Sequence, residues 1–295
     1  MSRYESAFRP DLFAGQVVLV TGGGTGIGRC TAHELASLGA TVVIAGRRPE
    51  PLEKTAAEIA EAGGKCDTVQ LDIREEESVN EALAQIVAKH GRLDGLFNNA
   101  GGQFLAPASE MSVKGWKAVV NLNLNGTFIM CKAAYEHSMK ERGGVIVNML
   151  VDYENGMPSG VHTSAARAGI DNMTRTLALE WASYGIRLNS VEVGDVLGNG
   201  WIEGPYTLEQ QKEGIELTKG YPIARYGTES EISAVAVFLL SPASSYVTGD
   251  KIAIAGGAQL QKPTMMPEPG ERVVAPFQGF HLRPDFTGTP FEGID

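Results

Sequence analysis

The chain has 295 residues, 43% of them hydrophobic and 20% charged, with a net charge of −10 and a sequence pI of about 5.1. This is the composition of an ordinary globular protein, long enough to bury a large core without covalent staples. The acidic balance argues against nucleic acid or an anionic membrane as the main partner, since both need a basic face, whereas a small anionic ligand can be held locally by backbone N–H groups and a few arginines.

The first thirteen residues, MSRYESAFRPDLF, contain no apolar stretch of the kind a signal peptide needs. Val17–Val20 then reads as a short buried strand, and Ile27–Leu38 as a helix closed by Gly39. Thr41–Ala45 is predicted as a second strand, Leu52–Ala62 as a helix ending at Gly63-Gly64, and Thr68–Leu71 as a third strand. Glu75–His90 is a helix ending at Gly91, and Leu93–Phe97 a fourth strand. Lys114–Lys140 is largely helical, with Gly126 breaking the pattern. Val145–Leu150 is a fifth strand and Ala165–Tyr184 a long helix ending at Gly185. Arg187–Val191, Ser230–Leu240 and Lys251–Ala255 complete the series as strand, helix and seventh strand.

Strands alternating with helices over short connections predict a parallel sheet covered on both faces, doubly wound by right-handed crossovers. The expected fold class is therefore α/β, one domain over residues 1–260 with a seven-stranded parallel sheet. Ligands of such sheets bind at the carboxyl ends of the strands, where the winding direction switches. Two regions break the rhythm. Residues 195–222, with Gly198, Gly200, Gly204 and Pro205, form a long polar excursion expected to act as a substrate lid. Residues 261–295 are rich in Pro and Gly and poor in periodicity, and are expected to be a tail, either packed on a neighbouring subunit or without fixed structure. Cys30, Cys66 and Cys131 show no paired or metal-ligand spacing. They read as reduced thiols in a reducing compartment, here the cytoplasm.

The first functional signal is Thr21-Gly22-Gly23-Gly24-Thr25-Gly26-Ile27-Gly28, between the first strand and first helix. Glycines allow a tight turn and close approach to a pyrophosphate, and the helix N-terminus adds N–H groups and positive dipole. Its Gly-x-x-x-Gly-x-Gly spacing differs from the commonest dinucleotide fingerprint, but its place in an N-terminal βαβ unit is specific. The second strand ends in Arg47-Arg48 where an NAD enzyme usually has an acid. The pair either binds the 2′-phosphate of NADP(H) or simply caps the strand in solvent. Asp72 and Ile73, ending the third strand, stand where an adenine would lie, with Asp72 as acceptor for its amino group or as a plain turn residue. Asn98-Asn99-Ala100-Gly101 ends the fourth strand as a flat turn able to run past a ribose.

TGGGTGIG at 21–28, NNAG at 98–101 and LNLNGTF at 122–128 resemble the short-chain dehydrogenase/reductase family over residues 12–257. The resemblance implies a Rossmann-type fold, a dinucleotide held by Thr21, Gly22, Gly24, Thr25, Gly26, Ile27, Asn99, Ala100, Gly101 and Gly194, and a homo-oligomer, dimer or tetramer, built on the long helix after Thr163. That family's centre is a Ser, then Tyr-x-x-x-Lys, with an Asn on a preceding helix. Here the Tyr-x-x-x-Lys segment reads Thr163-Ser164-Ala165-Ala166-Arg167, and the Ser position falls on Leu150 or Val151. The asparagine survives as Asn123 or Asn125, and the usual Pro-Gly reads Val193-Gly194, flanked by Glu192 and Asp195.

GGQFLAP at 101–107, KGW at 114–116, NLNGTFIMCKA at 123–133 and HTSAARAGI at 162–170 are similar to the peroxisomal-type trans-2-enoyl-CoA reductases of the family and to its 2,4-dienoyl-CoA reductases. In that branch a Tyr lies soon after the fifth strand, matched here by Tyr153, and a hydroxyl residue lies four positions before the cation, matched by Thr163 before Arg167. Reducing a conjugated thioester puts hydride on the β-carbon and charge on an enolate oxygen, which needs hydrogen-bond donors. Thr163, Tyr153 and an Asn amide qualify, and Arg167 can hold the ribose. Each has a plainer reading: Tyr153 packed on the lid, Thr163 capping its helix, Arg167 at the surface, His162 a structural neighbour. Glu192 and Asp195 read either as turn residues or as acids favouring a cationic or hydroxylated substrate.

The expected function is thus an NADPH-dependent reductase of an activated carbon–carbon double bond in a small-molecule enoyl-CoA or enone. The rivals are a ketone/alcohol oxidoreductase and a catalytically silent NADP-binding protein. Lys212, Lys219 and Arg225 offer a basic path for a CoA ester, interrupted by Glu209, Glu213 and Glu216.

Overall fold

The computed structural model describes residues 3–198, 206–260 and 274–294. The strands are β1 (Val17–Thr21), β2 (Thr41–Gly46), β3 (Lys65–Gln70), β4 (Gly95–Asn98), β5 (Gly144–Val151), β6 (Ile186–Val193), β7 (Val196–Leu197), β8 (Gly227–Thr228) and β9 (Lys251–Ile254). Seven form one parallel sheet in the order β3-β2-β1-β4-β5-β6-β9. The helices are α1 (Gly26–Ser37), α2 (Pro49–Glu61), α3 (Glu76–His90), α4 (residues 113–142), α5 (Val161–Trp181), α6 (Leu208–Lys219) and α7 (Glu229–Leu240).

The central strands are buried on both faces, so their sequence is continuously apolar instead of alternating. All five residues of β1 are buried. Val17 and Leu19 enter a core shared with α3, α4 and α5, while Val18 and Val20 enter the opposite core shared with α1 and α7. Each such Val or Leu contributes roughly 1.5–3 kcal/mol by leaving water. The edge strand β3 is only half buried, and it begins at Lys65, three residues before the predicted start, because polar residues are tolerated there. α2 likewise starts early, at Pro49, whose fixed φ and missing N–H suit the first helical turn. Cys30 and Cys131 are buried free thiols and Cys66 is half buried. Among the described residues no helix is long and apolar enough to cross a membrane.

Gly126 does not break its helix. α4 runs through it, with π turns at Asn121–Asn125 and Tyr135–Met139. The glycine serves close packing: a Cβ there would stand 2.8 Å from Ile73. The 195–222 excursion is more ordered than its composition implied. β7 pairs with β8, and α6 begins with a capping box between Thr207 and Gln210. Gly200, Gly204 and Pro205 lie outside the described residues.

The tail from Val274 onward packs on its own chain. Phe291 is fully buried, and Phe280 sits against Tyr4 and the Arg29 guanidinium. Backbone atoms of Phe277, Gly279, Phe280 and Leu282 bond to Thr228, Glu5, Ser230 and Arg29. The Pro/Gly composition hid this because the strap is held by side chains of α1 and α7 and not by its own periodicity.

Gly126→Val is expected to lower the unfolding free energy by about 1–3 kcal/mol, the usual result of overpacking. Urea denaturation measures it. An unchanged midpoint would mean that Ile73 is free to move aside.

Candidate functional site

The winding of the sheet reverses between β1 and β4, and the crevice above their carboxyl ends is the site. The two strand ends are clamped together. Thr21 Oγ1 accepts from the N–H groups of Asn99 and Ala100, at 3.1 and 3.0 Å, and donates to Phe97 O at 3.3 Å. Asn99 Nδ2 donates to Thr21 O at 2.9 Å. The helix α1 then starts immediately against this clamp. A Cβ on Gly28 would stand 2.4 Å from Gly22 O and 2.5 Å from Asn99 Nδ2, and Gly22 and Gly26 have left-handed φ of +66° and +56°. Thr25 occupies the N-cap without a side-chain cap, so the N–H groups of the first turn face the crevice unclaimed by it.

The crevice encloses about 230 Å³ and is lined by Gly22, Gly24, Thr25, Arg47, Arg48, Asp72, Ile73, Ala100 and Gly101 from the sequence reading. Ala45, Pro51, Leu52, Leu71 and Leu122 also line it and were not anticipated. Their apolar character gave no signal distinguishable from core. Arg47 and Arg48 are exposed and make no salt bridge among the described residues. Asp72 is clasped by Arg74, with Nε at 2.9 Å from Oδ1 and Nη2 at 2.5 Å from Oδ2. Arg74 thereby holds the Asp72 carboxyl below its ordinary range. This third arginine was missed, although its place two residues after Asp72 was a signal. Thr21, Gly26, Ile27, Asn99 and Gly194 do not line the crevice wall. Thr21 and Asn99 shape it from behind, and Gly194 allows β6 to close on Ala255, which a Cβ would meet at 2.7 Å.

At the other end stands Arg167 of α5, 6% exposed. Its Nη1 donates to Met149 O at 2.5 Å and its Nη2 to Asn123 Oδ1 at 3.1 Å. Burial pulls the guanidinium down to about 10, which leaves it cationic at neutral pH. It is no surface residue. Gly101 is glycine for the same reason: a Cβ would stand 2.6 Å from both Arg167 Nη2 and Asn123 Oδ1. Asn123, fully buried in the π turn of α4, spends its amide protons on Gly102 O at 2.8 Å and Val119 O at 3.1 Å. It therefore positions Arg167 and the 101–102 turn and is not a free donor to substrate. Asn125 is exposed and bonds Asn121 along the outer face of α4, outside the site.

Thr163 is the third residue of α5, whose N-cap is Gly160, so it does not cap the helix. It is buried, and its hydroxyl lies 3.3 Å from His162 Nδ1 while its N–H donates to the same atom at 2.7 Å. An Nδ1 that accepts places the imidazole proton on Nε2, and burial keeps the ring neutral. The ring edge rests on Phe104, with centroids 4.6 Å apart. His162 Nε2 and Arg167 Nε are buried with no hydrogen-bond partner among the described residues.

Tyr153 turns its hydroxyl to Asp171 Oδ2, at 2.7 Å, one helical turn beyond Arg167 on α5. Lys251 sits over its ring at 4.8 Å. Burial and the Asp171 carboxylate push the phenol up to about 12. The ring therefore packs beneath Lys251 of β9, and Asp171 stands beside Arg167 as a residue that sequence reasoning missed. Glu192 lies inside β6, fully buried and paired with Lys251 Nζ at 2.5 Å, and Asp195 accepts from the Tyr221 hydroxyl. Glu192 is thus no turn residue. Nor do Lys212, Lys219 and Arg225 form an open basic path. Lys219 is paired with Glu216 at 2.6 Å, and Arg225, largely buried, is paired with Glu231 at 2.7 Å. Lys212 projects from α6 among Glu209, Glu213 and Glu216.

The enoyl-(acyl carrier protein) reductase family model matches residues 22–259. A probable 2,4-dienoyl-CoA reductase of Bacillus subtilis is 41% identical over 83% of this chain and 97% of its own length. A peroxisomal 2,4-dienoyl-CoA reductase of Danio rerio is 36% identical over 88% of this chain and 87% of its own. Among solved structures, a citronellol catabolism dehydrogenase (AtuB) of Pseudomonas aeruginosa PAO1 superposes with a TM-score of 0.78 at 46% identity, over 87% of this chain and all of that one.

Arg167→Met is expected to cost about 1–3 kcal/mol of stability by leaving Met149 O and Asn123 short of a donor. Thermal and urea unfolding read the loss, and an unchanged stability would mean that the guanidinium bonds contribute nothing net. The fold, the glycine turn at the switch point and these similarities together make the chain an oxidoreductase of the short-chain dehydrogenase/reductase family.

Proposed function

We propose that the protein is an NADPH-dependent reductase of an activated carbon–carbon double bond, of the enoyl-CoA kind. The observation that carries the proposal is the pairing at the head of α5: a buried cation, Arg167, one helical turn from a buried hydroxyl, Thr163, with no phenol between them. Such a site offers donors to an oxygen that becomes negative, and lacks the acid a carbonyl reduction needs.

The residues fit a nicotinamide dinucleotide. Glycine stands where a Cβ would crowd the turn at Gly22 and Gly28, the first turn of α1 presents N–H groups, and at the far end of the crevice Arg47 and Arg48 stand beside an Asp72 already paired with Arg74. That surplus supports NADPH over NADH, because it suits a 2′-phosphate. The orphaned Arg167 Nε and the guanidinium charge suit ribose hydroxyls. When bound, the reduced nicotinamide supplies hydride and its electron pair. Thr163 donates its hydroxyl to the thioester or ketone oxygen as that oxygen takes up charge, and His162 Nδ1 holds the hydroxyl in place beforehand. For a 2,4-dienoyl thioester, the class printed in the relatives' names, the electron pair ends on the same oxygen. The α-carbon proton comes from water, because the Tyr153 hydroxyl spends its proton on Asp171.

A second reading concerns the substrate. The paired lid cations leave little to receive the phosphates of CoA, which favours a small neutral enone. A reducing cytoplasmic setting is supported by the three free thiols. Assembly as a dimer or tetramer is supported by Phe128 on α4 and Leu179 on α5, large apolar side chains left in solvent.

The test follows NADPH oxidation with crotonyl-CoA, a 2,4-dienoyl-CoA, a cyclic enone and a simple ketone side by side. Turnover of the first three classes is expected to exceed that of the ketone, and Thr163→Val to lower kcat by about 10²–10³, the value of one oxyanion donor. Preferred ketone turnover, abolished in Tyr153→Phe, would instead establish a carbonyl reductase. NADPH binding with no turnover of any acceptor would establish a silent binder.

A further inference from the structure

Glu229 is the first residue of α7 and only 7% exposed. Its Oε1 stands 2.5 Å from where a Cβ on Gly198 would lie and 3.8 Å from one on Gly26, the glycine that opens α1. The carboxylate thus lies beside the helix end on which a pyrophosphate would seat. No hydrogen bond or salt bridge to it is formed among the described residues. The charged and titratable groups facing it are few. On α1, Arg29 is committed to Glu58, at 2.8 and 2.9 Å, and Cys30 is a buried thiol held protonated. From the other side Tyr226 and Arg283 line the narrow crevice that Glu229 shares with Leu197 and Phe280.

We propose that Glu229 couples cofactor binding to a proton: the carboxyl group must be neutral for the dinucleotide pyrophosphate to seat on the first turn of α1. A carboxylate beside the residue that opens α1 and a pyrophosphate on the first turn of that helix would compete for one helix dipole, so the complex favours the protonated acid. Burial already pushes Glu229 up to about 7 in the free protein, with Arg29 opposing in part. The sign follows. Below that pH the free protein carries the proton and affinity does not depend on it. Above it, binding takes up a proton from solvent, and affinity falls by up to tenfold per pH unit until the raised value of the complex is reached.

The proposal rests on the reading that the glycine turn holds a dinucleotide. The measurement is NADPH affinity from pH 6 to pH 8.5 by nicotinamide fluorescence, for the wild type and Glu229→Gln. It is paired with calorimetry at pH 8 in two buffers of different ionisation enthalpy to count protons. The expected result is equal affinity at pH 6, roughly tenfold tighter binding by the variant at pH 8, and nearly one more proton taken up by the wild type than by the variant. Titration of the ligand's own phosphate is common to both proteins and cancels. Parallel pH profiles, equal proton counts, or a variant weaker than wild type at pH 6 would overturn the proposal. Absence of NADPH binding by the wild type at every pH would instead overturn the cofactor reading beneath it.

Discussion

Everything at this site depends on how closely the end of β1 approaches the end of β4. The Thr21 hydroxyl and the Asn99 amide bridge the two strands where no ladder remains to join them, and α1 can start there only because Gly28 leaves room for Gly22 O and the Asn99 amide. The crevice, its N–H groups and its apolar wall follow from that contact. A residue such as Thr21 therefore shapes the crevice without lining it.

Arg167 is the second fixed point, and it depends on the first. Its guanidinium ties α5 to the end of β5 through Met149 O and to α4 through Asn123. Asn123 in turn holds the Gly101–Gly102 turn that follows β4. A lysine would offer its donors from a single nitrogen, whereas the planar fork reaches Met149 O and Asn123 Oδ1 from two separate nitrogens and still leaves Nε over. Asn123 and Asn125, two residues apart, lie on opposite faces of α4, so Asn123 turns inward while Asn125 stays in solvent.

The sheet, its order of elements and the crevice were legible in the sequence because all three are written locally: apolar runs give strands, and glycines give turns that nothing else can make. The strap was not, since it is held by partners distant in sequence, as when Arg29 meets Leu282. The head of α5 was half legible. Thr163 and Arg167 stand one helical turn apart as their spacing implied, but that Asn123 and not Asn125 meets Arg167 needed the helix face, and the Tyr153–Asp171 bond joins residues whose pairing no spacing rule announces. The basic path failed for a related reason: charge counting in sequence does not show that Arg225 and Lys219 are already neutralised by Glu231 and Glu216.

The strap also orders events during synthesis. Tyr4, Cys30 and Glu34 share a pocket with Ser230 and Ser233, and Phe280 closes it. The serines and the phenylalanine leave the ribosome some two hundred residues or more after Cys30. Until they arrive, that side of α1 lacks its cover and the Cys30 thiol its shield. The nascent chain therefore completes the burial of its first helix only when its last quarter has emerged.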